Sequence, residues 1–206
     1  MKKLLFIFAL CLPFVLNAQF GFKAGLNFTN VTNVAGINNK SSSGFNVGLF
    51  FATPYTSIIG SKTELVFSRQ GYSYETNAMT GKVNLDYVML PTYMCINITK
   101  YFQIQVGMEL AYLISAKADS TGQNQATSSA SSSVLNYYNR FNYAIGGGIE
   151  VHPVKGLLVG ARMNVSLNNL YKTSDYSSIG GTPASSPDVN IKANVLQIYA
   201  GWKFGK

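Results

Sequence analysis

The side chains that could do chemistry are few. The chain of 206 residues carries one histidine, His152, and two cysteines, Cys11 and Cys95. A histidine works as a general base when a serine or a carboxylate stands beside it. His152 instead opens the run His152-Pro153-Val154-Lys155-Gly156, which reads as a turn. An ordinary zinc site needs three or four nitrogen, sulfur or carboxylate ligands, and a single histidine with scattered cysteines does not form such a set. The run Gly146-Gly147-Gly148 is not followed by a helix, so it is not a phosphate cradle; glycines there are expected to let a strand curve. The residues therefore point to no catalytic group, no metal site and no cofactor.

What remains is a set of ionisable residues: Lys23, Lys62, Glu64, Glu109, Glu150, Arg162 and Lys203. Each stands on the polar parity of a stretch in which polar and apolar residues alternate. Buried together, such groups must pair or neutralise. The expectation is a charge cluster in an interior, with Glu109 and Glu150 sharing a face with Arg162 and Lys203.

The elements that would hold this cluster are strands. In the stretch 102–116, FQIQVGMELAYLISA, the residues Phe102, Ile104, Val106, Met108, Leu110, Tyr112 and Ile114 share one parity, and Gln103, Gln105, Gly107, Glu109, Ala111 and Ser115 share the other. Period 2 is the mark of a strand with one apolar face. Globular strands run about 5–6 residues, whereas a tilted strand needs about 9–11 to cross a bilayer. This stretch is long enough to cross. A lone crossing strand would leave its backbone groups unpaired in hydrocarbon, so the chain must supply a closed barrel.

Seven further stretches alternate in the same way. Phe20 to Thr29 is the first, and Phe45, Val47, Leu49 and Phe51 mark the second. Leu65 and Phe67, opposed to Lys62, Glu64 and Ser68, mark the third, with a bulge or the strand end expected at Gln70-Gly71. In the fourth, Val83 to Ile98, the outward set is Val88, Leu90, Met94, Ile96 and Ile98, and Pro91 is expected to force a bulge because it has no N–H to donate. Strands six to eight follow around Phe141 to Val151, Leu157 to Leu167 and Leu196 to Phe204. Polar runs at Asn30 to Ser43, Asn77 to Lys82, Asp119 to Ser133 and Lys172 to Asn190 read as long loops, and they alternate with short connections. Long loops at one end and short turns at the other are a feature of outer-membrane barrels. Tyr137, Tyr138, Tyr143, Tyr171, Tyr199 and Trp202 are assigned to aromatic girdles. The fold class is all-β, an eight-stranded antiparallel up-and-down transmembrane β-barrel.

The N-terminus supplies the route. Lys2 and Lys3 precede an apolar run from Leu4 to Leu16, and Ala18 offers a small residue for cleavage. This layout is that of a secretory signal peptide over residues 1–18, leaving 19–206 as the barrel domain. Cys11 lies inside the apolar run and is lost with it. The formal charge of +8 could suggest a polyanionic partner, but the cations are spread singly along the chain, so nucleic acid is not expected.

Taken together, the segments GFKAGLNFTN from Gly21, ELVFSRQGY from Glu64, LDYVMLPTY from Leu85, GGGIEV from Gly146, GARMNVSLNNLY from Gly160 and QIYAGWKF from Gln197 resemble, in order and spacing, the PorT-like outer-membrane β-barrel family. The resemblance covers nearly all of the chain after the leader. It implies an eight-stranded barrel in the outer membrane of a Gram-negative bacterium that secretes by the type IX route, with secretion-machinery or cell-surface proteins as partners through the loops. The expected role is structural or interactive and non-enzymatic, accessory to protein secretion. Two alternatives stand beside it: a narrow pore for ions or small solutes, and a soluble periplasmic barrel holding an apolar ligand, which would invert the two faces. Outer-membrane lipid is the expected surround; oligomeric state is not legible.

Overall fold

The computed structural model describes residues 19–32, 38–54, 58–75, 79–122, 130–133, 135–170 and 192–204. The expected leader, 1–18, and the whole polar run 172–190 lie outside the described residues. Among the described residues nine strands are formed: β1 (Gln19–Thr32), β2 (Asn38–Ala52), β3 (Ile59–Glu75), β4 (Met79–Asn97), β5 (Phe102–Gly122), β6 (Ala130–Ser133), β7 (Phe141–Val151), β8 (Leu157–Ser166) and β9 (Lys192–Lys203). Long strands adjacent in the chain pair antiparallel, β4 pairs with β5, and β1 pairs with β9, which closes the ring. The result is an eight-stranded barrel; β6 is a four-residue addition along the far end of β5. Closure leaves no open sheet edge within the bilayer, as a crossing sheet requires.

The alternation sorts the side chains. Outward residues form an apolar belt that includes Leu26, Val47, Leu65, Leu90, Met108, Ile145 and Ile198, all exposed. Polar and charged residues point inward and are buried. This orientation is the reverse of what a soluble barrel with an apolar interior ligand would need, so that alternative falls. Aromatic rings close the belt at each end: Phe20 packs on Phe51 and Phe204 at centroid distances of 5.2 and 6.2 Å, and Phe45 on Phe67 at 5.9 Å. Tyr143 and Trp202 face outward as expected, but Tyr138 and Tyr199 are buried inside. Tyr199 lies between Ile198 and Ala200 on the inward parity, and its length reaches the centre of the lumen. Tyr171 lies outside the described residues.

Short connections after β2, β4 and β7 gather at one end, here the turn end; the other is the loop end. In the 98–101 turn the Thr99 hydroxyl accepts from the amides of Tyr101 and Phe102 at 3.2 and 3.0 Å. Gly156, at φ 91°, turns the chain into β8 with its Cα against the Trp202 ring, where a side chain would be strained and crowded.

The polar runs read as loops are partly strand. β1 continues to Thr32, β2 begins at Asn38, β4 at Met79, and β5 reaches Gly122 with β6 paired beside it. Ladder hydrogen bonds belong to the backbone, so pairing persists where the apolar stripe ends. β3, β4 and β5, of 17, 19 and 21 residues, therefore exceed the about 9–11 residues a crossing needs and project beyond the belt.

One irregularity sits elsewhere than expected, and another lies at the expected level but on the facing strand. Register along β3 and β4 is the same on both sides of Pro91; the ladder merely lacks the Glu64/Pro91 and Leu65/Leu90 pairs, since proline has no N–H to give. The β4–β5 register instead slips between Asp86 and Tyr87, with Ile114 as the extra residue. Similarly, β3 runs unbroken through Gln70-Gly71 to Glu75, and the irregularity lies opposite, in β2 between Ser41 and Asn46. A bulge is the property of a strand pair, so one strand's sequence does not say which member carries the extra residue.

Candidate functional site

All seven ionisable residues singled out in the sequence are inside the barrel, with Lys23, Lys62, Glu64, Glu150 and Arg162 at 0–1% exposure, Glu109 at 5% and Lys203 at 8%. Five of them form one network in the half of the lumen nearer the turns. Glu64 is its hub. Arg162 donates to both Glu64 oxygens, Nη1 to Oε2 at 3.1 Å and Nη2 to Oε1 at 3.0 Å, the bidentate geometry that makes arginine–carboxylate pairs strong. Lys23 Nζ lies 2.5 Å from Glu64 Oε2, and Lys62 Nζ lies 3.9 Å from Oε1 and 2.6 Å from Glu150 Oε2. Four steps around the ring separate β3 from β8 in either direction, so the Glu64–Arg162 pair spans the full diameter of the lumen.

Neutral side chains fill the gaps between the charges. Gln105 Oε1 accepts from Arg162 Nη2 at 2.6 Å, and Gln105 Nε2 donates to Glu150 at 3.1 Å. The Tyr199 hydroxyl donates to Glu150 at 2.9 Å. The Arg162 guanidinium lies 3.8 Å from the Tyr93 ring centroid, and Lys23 Nζ lies 4.4 Å from that of Tyr199, both within cation–π range. Gln105 and Tyr93 were not singled out in the sequence as members of this cluster, and Tyr199 was assigned to a girdle. Their inward parity was legible, but their partners come from strands distant in the chain.

The glycines of β7 make room for this packing. A Cβ on Gly148 would stand 2.9 Å from Arg162 Cα, and one on Gly160 in β8 would stand 2.6 Å from the Tyr199 hydroxyl. Close approach of large neighbours is what Gly148 serves here.

The pairing differs in detail from the expectation. Gln105, Gly148 and Arg162 share one row of the sheet, whereas Glu109, Ala144 and Ser166 share another. Four residues along β5 separate the rows, about 13 Å of strand. Glu109 therefore does not pair with Arg162; it accepts from Asn164 Nδ2 at 2.9 Å, and Asn164 Oδ1 in turn accepts from the Tyr93 hydroxyl at 2.8 Å. Beside Glu109 lies a cavity of about 20 Å³ edged by Gln70, Tyr87 and Asn142, which is room for one water molecule. Lys203 sits at the turn-end mouth.

His152 is also placed by this network. Its Nε2 lies 3.3 Å from Glu150 Oε1, in the turn after β7. Burial holds its pKa down to about 4 against the pull of Glu150, so the ring is neutral at pH 7. Cys95 is buried and unbridged.

Beyond Glu109, toward the loops, the lumen changes character. Tyr72, Leu85, Tyr87, Met89, Leu113 and Tyr138 pack in one apolar cluster with Leu170. The hydroxyls of Tyr72 and Tyr138 are 2.7 Å apart. The segment 135–139 is tied to 169–170 by Asn139, whose amide donates to Leu170 O at 3.0 Å and whose side chain donates to Asn169 O at 2.7 Å. Both segments cover the lumen at this end.

A closed barrel with an apolar outer belt, aromatic rims and buried charges is a β-barrel of the Gram-negative outer membrane. Residues 13–172 match the model of the outer membrane protein β-barrel domain, and the chain belongs to that family. Among solved structures it is similar to Ail, the attachment invasion locus protein of Yersinia pestis, at 16% identity over 91% of this chain and 99% of Ail, with a TM-score of 0.50. The structure of Ail in complex with the heparin analogue sucrose octasulfate gives 17% identity over the same shares and 0.53. Neisserial surface protein A (NspA) gives 10% identity over 90% of this chain and 97% of that one, with a TM-score of 0.50. At these identities the likeness is one of fold. No curated protein matches the sequence.

Proposed function

We propose that this barrel is a non-conducting, non-enzymatic scaffold of the outer membrane that works through the strands and loops projecting at its loop end. One observation carries the reading: a buried salt bridge, Glu64 to Arg162, crosses the lumen, and an apolar cluster lies above it. A lumen so filled supports pairing over permeation. Purified barrel in planar bilayers should give no steady single-channel current. Reproducible unitary conductance would overturn the reading in favour of a narrow pore.

The projecting ends are proposed to face the exterior and the short turns the periplasm, with residues 1–18 as the signal peptide that delivers the chain. In intact cells carrying Cys95→Ser, a cysteine replacing Lys117 should react with an impermeant maleimide, and one replacing Lys155 should not. The reverse pattern would invert the topology.

The finer reading rests on the sequence resemblance to the PorT-like family. It makes the partners components of the type IX secretion machinery and the role accessory to secretion. Affinity capture of the native protein from outer membranes tests it: recovery of secretion components supports it, and their absence, together with normal secretion in a deletion strain, defeats it.

A further inference from the structure

The outer wall carries a feature that the filled lumen does not use. On β3 and β4, one residue beyond the apolar belt at the loop end, Arg69 and Asp86 stand directly opposite each other. Arg69 Nε donates to Asp86 Oδ1 at 2.6 Å and Nη2 to Oδ2 at 3.0 Å. Nη1 donates to nothing among the described residues. The Arg69 side chain is 45% exposed and that of Asp86 13%, so the pair turns its cationic edge outward and shields its carboxylate. The guanidinium also lies 5.5 Å from the Phe45 ring centroid, and this stacking and the bidentate bond together fix its plane.

Directly below, on the same wall, is a groove of about 380 Å³ running between Phe22 and Leu49 on one side and Leu65 and Phe67 on the other, with Gly48 in its floor. The Phe67–Val88 pair that tops the groove is the register step next but one to Arg69–Asp86. An apolar channel in the hydrocarbon layer thus ends under a fixed, half-exposed guanidinium at headgroup depth.

We propose that this wall holds one phosphate-bearing lipid of the surrounding leaflet, an acyl chain in the groove and a phosphate oxygen accepting from Arg69 Nη1. A guanidinium suits this because its free N–H edge matches a phosphate and its plane is already held. Charge and shape both favour a lipid over a second copy of the chain, whose own outer belt is apolar and, among the described residues, presents no anion to Arg69 at this depth apart from the shielded Asp86.

Native mass spectrometry of the barrel in detergent, titrated with phosphatidylglycerol, tests the proposal. Wild type should retain one lipid, and Arg69→Gln should weaken retention by about tenfold or more, the loss of one charge-assisted hydrogen bond. Because Arg69→Gln leaves Asp86 without its partner, Arg69→Gln/Asp86→Asn is measured beside it and should show the same loss with the barrel intact by heat-modified gel mobility. Val47→Trp, which fills the groove, should also abolish retention, and Lys155→Gln at the other end should not. Diacylglycerol, which lacks the phosphate, should bind at least about tenfold more weakly than phosphatidylglycerol. Equal retention by wild type and the double variant, or equal binding of diacylglycerol, would overturn it.

Discussion

Toward the turns, the lumen is held by charges whose partners lie across its full width; toward the loops, the same strands turn in tyrosine, leucine and methionine that pack on their neighbours. The two halves fail differently. In the charged half each group has specific partners, and Glu64 alone serves Arg162, Lys23 and Lys62. Losing one member leaves buried charge without compensation. In the apolar half packing is largely non-directional, the Tyr72–Tyr138 hydroxyl bond aside, so a deletion costs transfer energy and a cavity, and neighbours relax toward it. The charged half fixes which strands face each other, and the apolar half closes the lumen whatever the detail of its contacts.

The sharpest way to break this comparison is at the hub. Arg162→Ala should destabilise the barrel by about 3–5 kcal/mol in urea unfolding from lipid vesicles, because Glu64 loses its bidentate partner and Tyr93 and Gln105 lose theirs. Glu64→Ala should cost at least as much. If Arg162→Ala unfolds like wild type, the network is hydrated and the division of the lumen fails.

Leu113→Ala tests the apolar half, where Leu113 is fully buried. The expected loss is about 3 kcal/mol, and the effect should add to that of Arg162→Ala within about 0.5 kcal/mol if the halves are independent. Strong coupling between the two variants would merge the halves into one unit.

Tyr72→Phe removes the 2.7 Å hydroxyl contact with Tyr138 and should cost about 1 kcal/mol, measured in the same assay. A much larger loss would mean that the cap depends on directional bonds as the charged half does.

The smallest effect at neutral pH belongs to His152. Its folded-state pKa of about 4 lies below the unfolded value of about 6.5, so the unfolded chain binds the proton more readily. The stability this contributes is present above pH 6.5 and is lost as pH falls from there toward 4. His152→Gln should leave stability at pH 7 nearly unchanged and flatten the acid limb between pH 6.5 and 4. An acid limb identical to that of wild type would show that the turn opens to water before the ring is protonated.

Which side chains face lipid and which face inward was legible along most of the strands, with Tyr138 and Tyr199, assigned to girdles but buried inside, as the exceptions. Period-2 alternation is a local property: Met108 and Glu109 must point to opposite sides of β5 whatever the strand pairs with. The strand count and the closed barrel followed from the same pattern, because backbone groups in hydrocarbon need partners. Where pairing stops, which strand of a pair carries a bulge, and which charges meet are set only once the ring closes. Arg162 could not be assigned to Glu64 from sequence, since the two are 98 residues apart and face each other only when the ring closes and its register is set. Glu109, on the same parity as Gln105, meets Asn164 and no cation because four residues of strand lift it out of the row that holds Arg162. Parity is fixed by the two-residue repeat of the extended backbone; depth along the barrel is fixed by the sum of all the pairings around it.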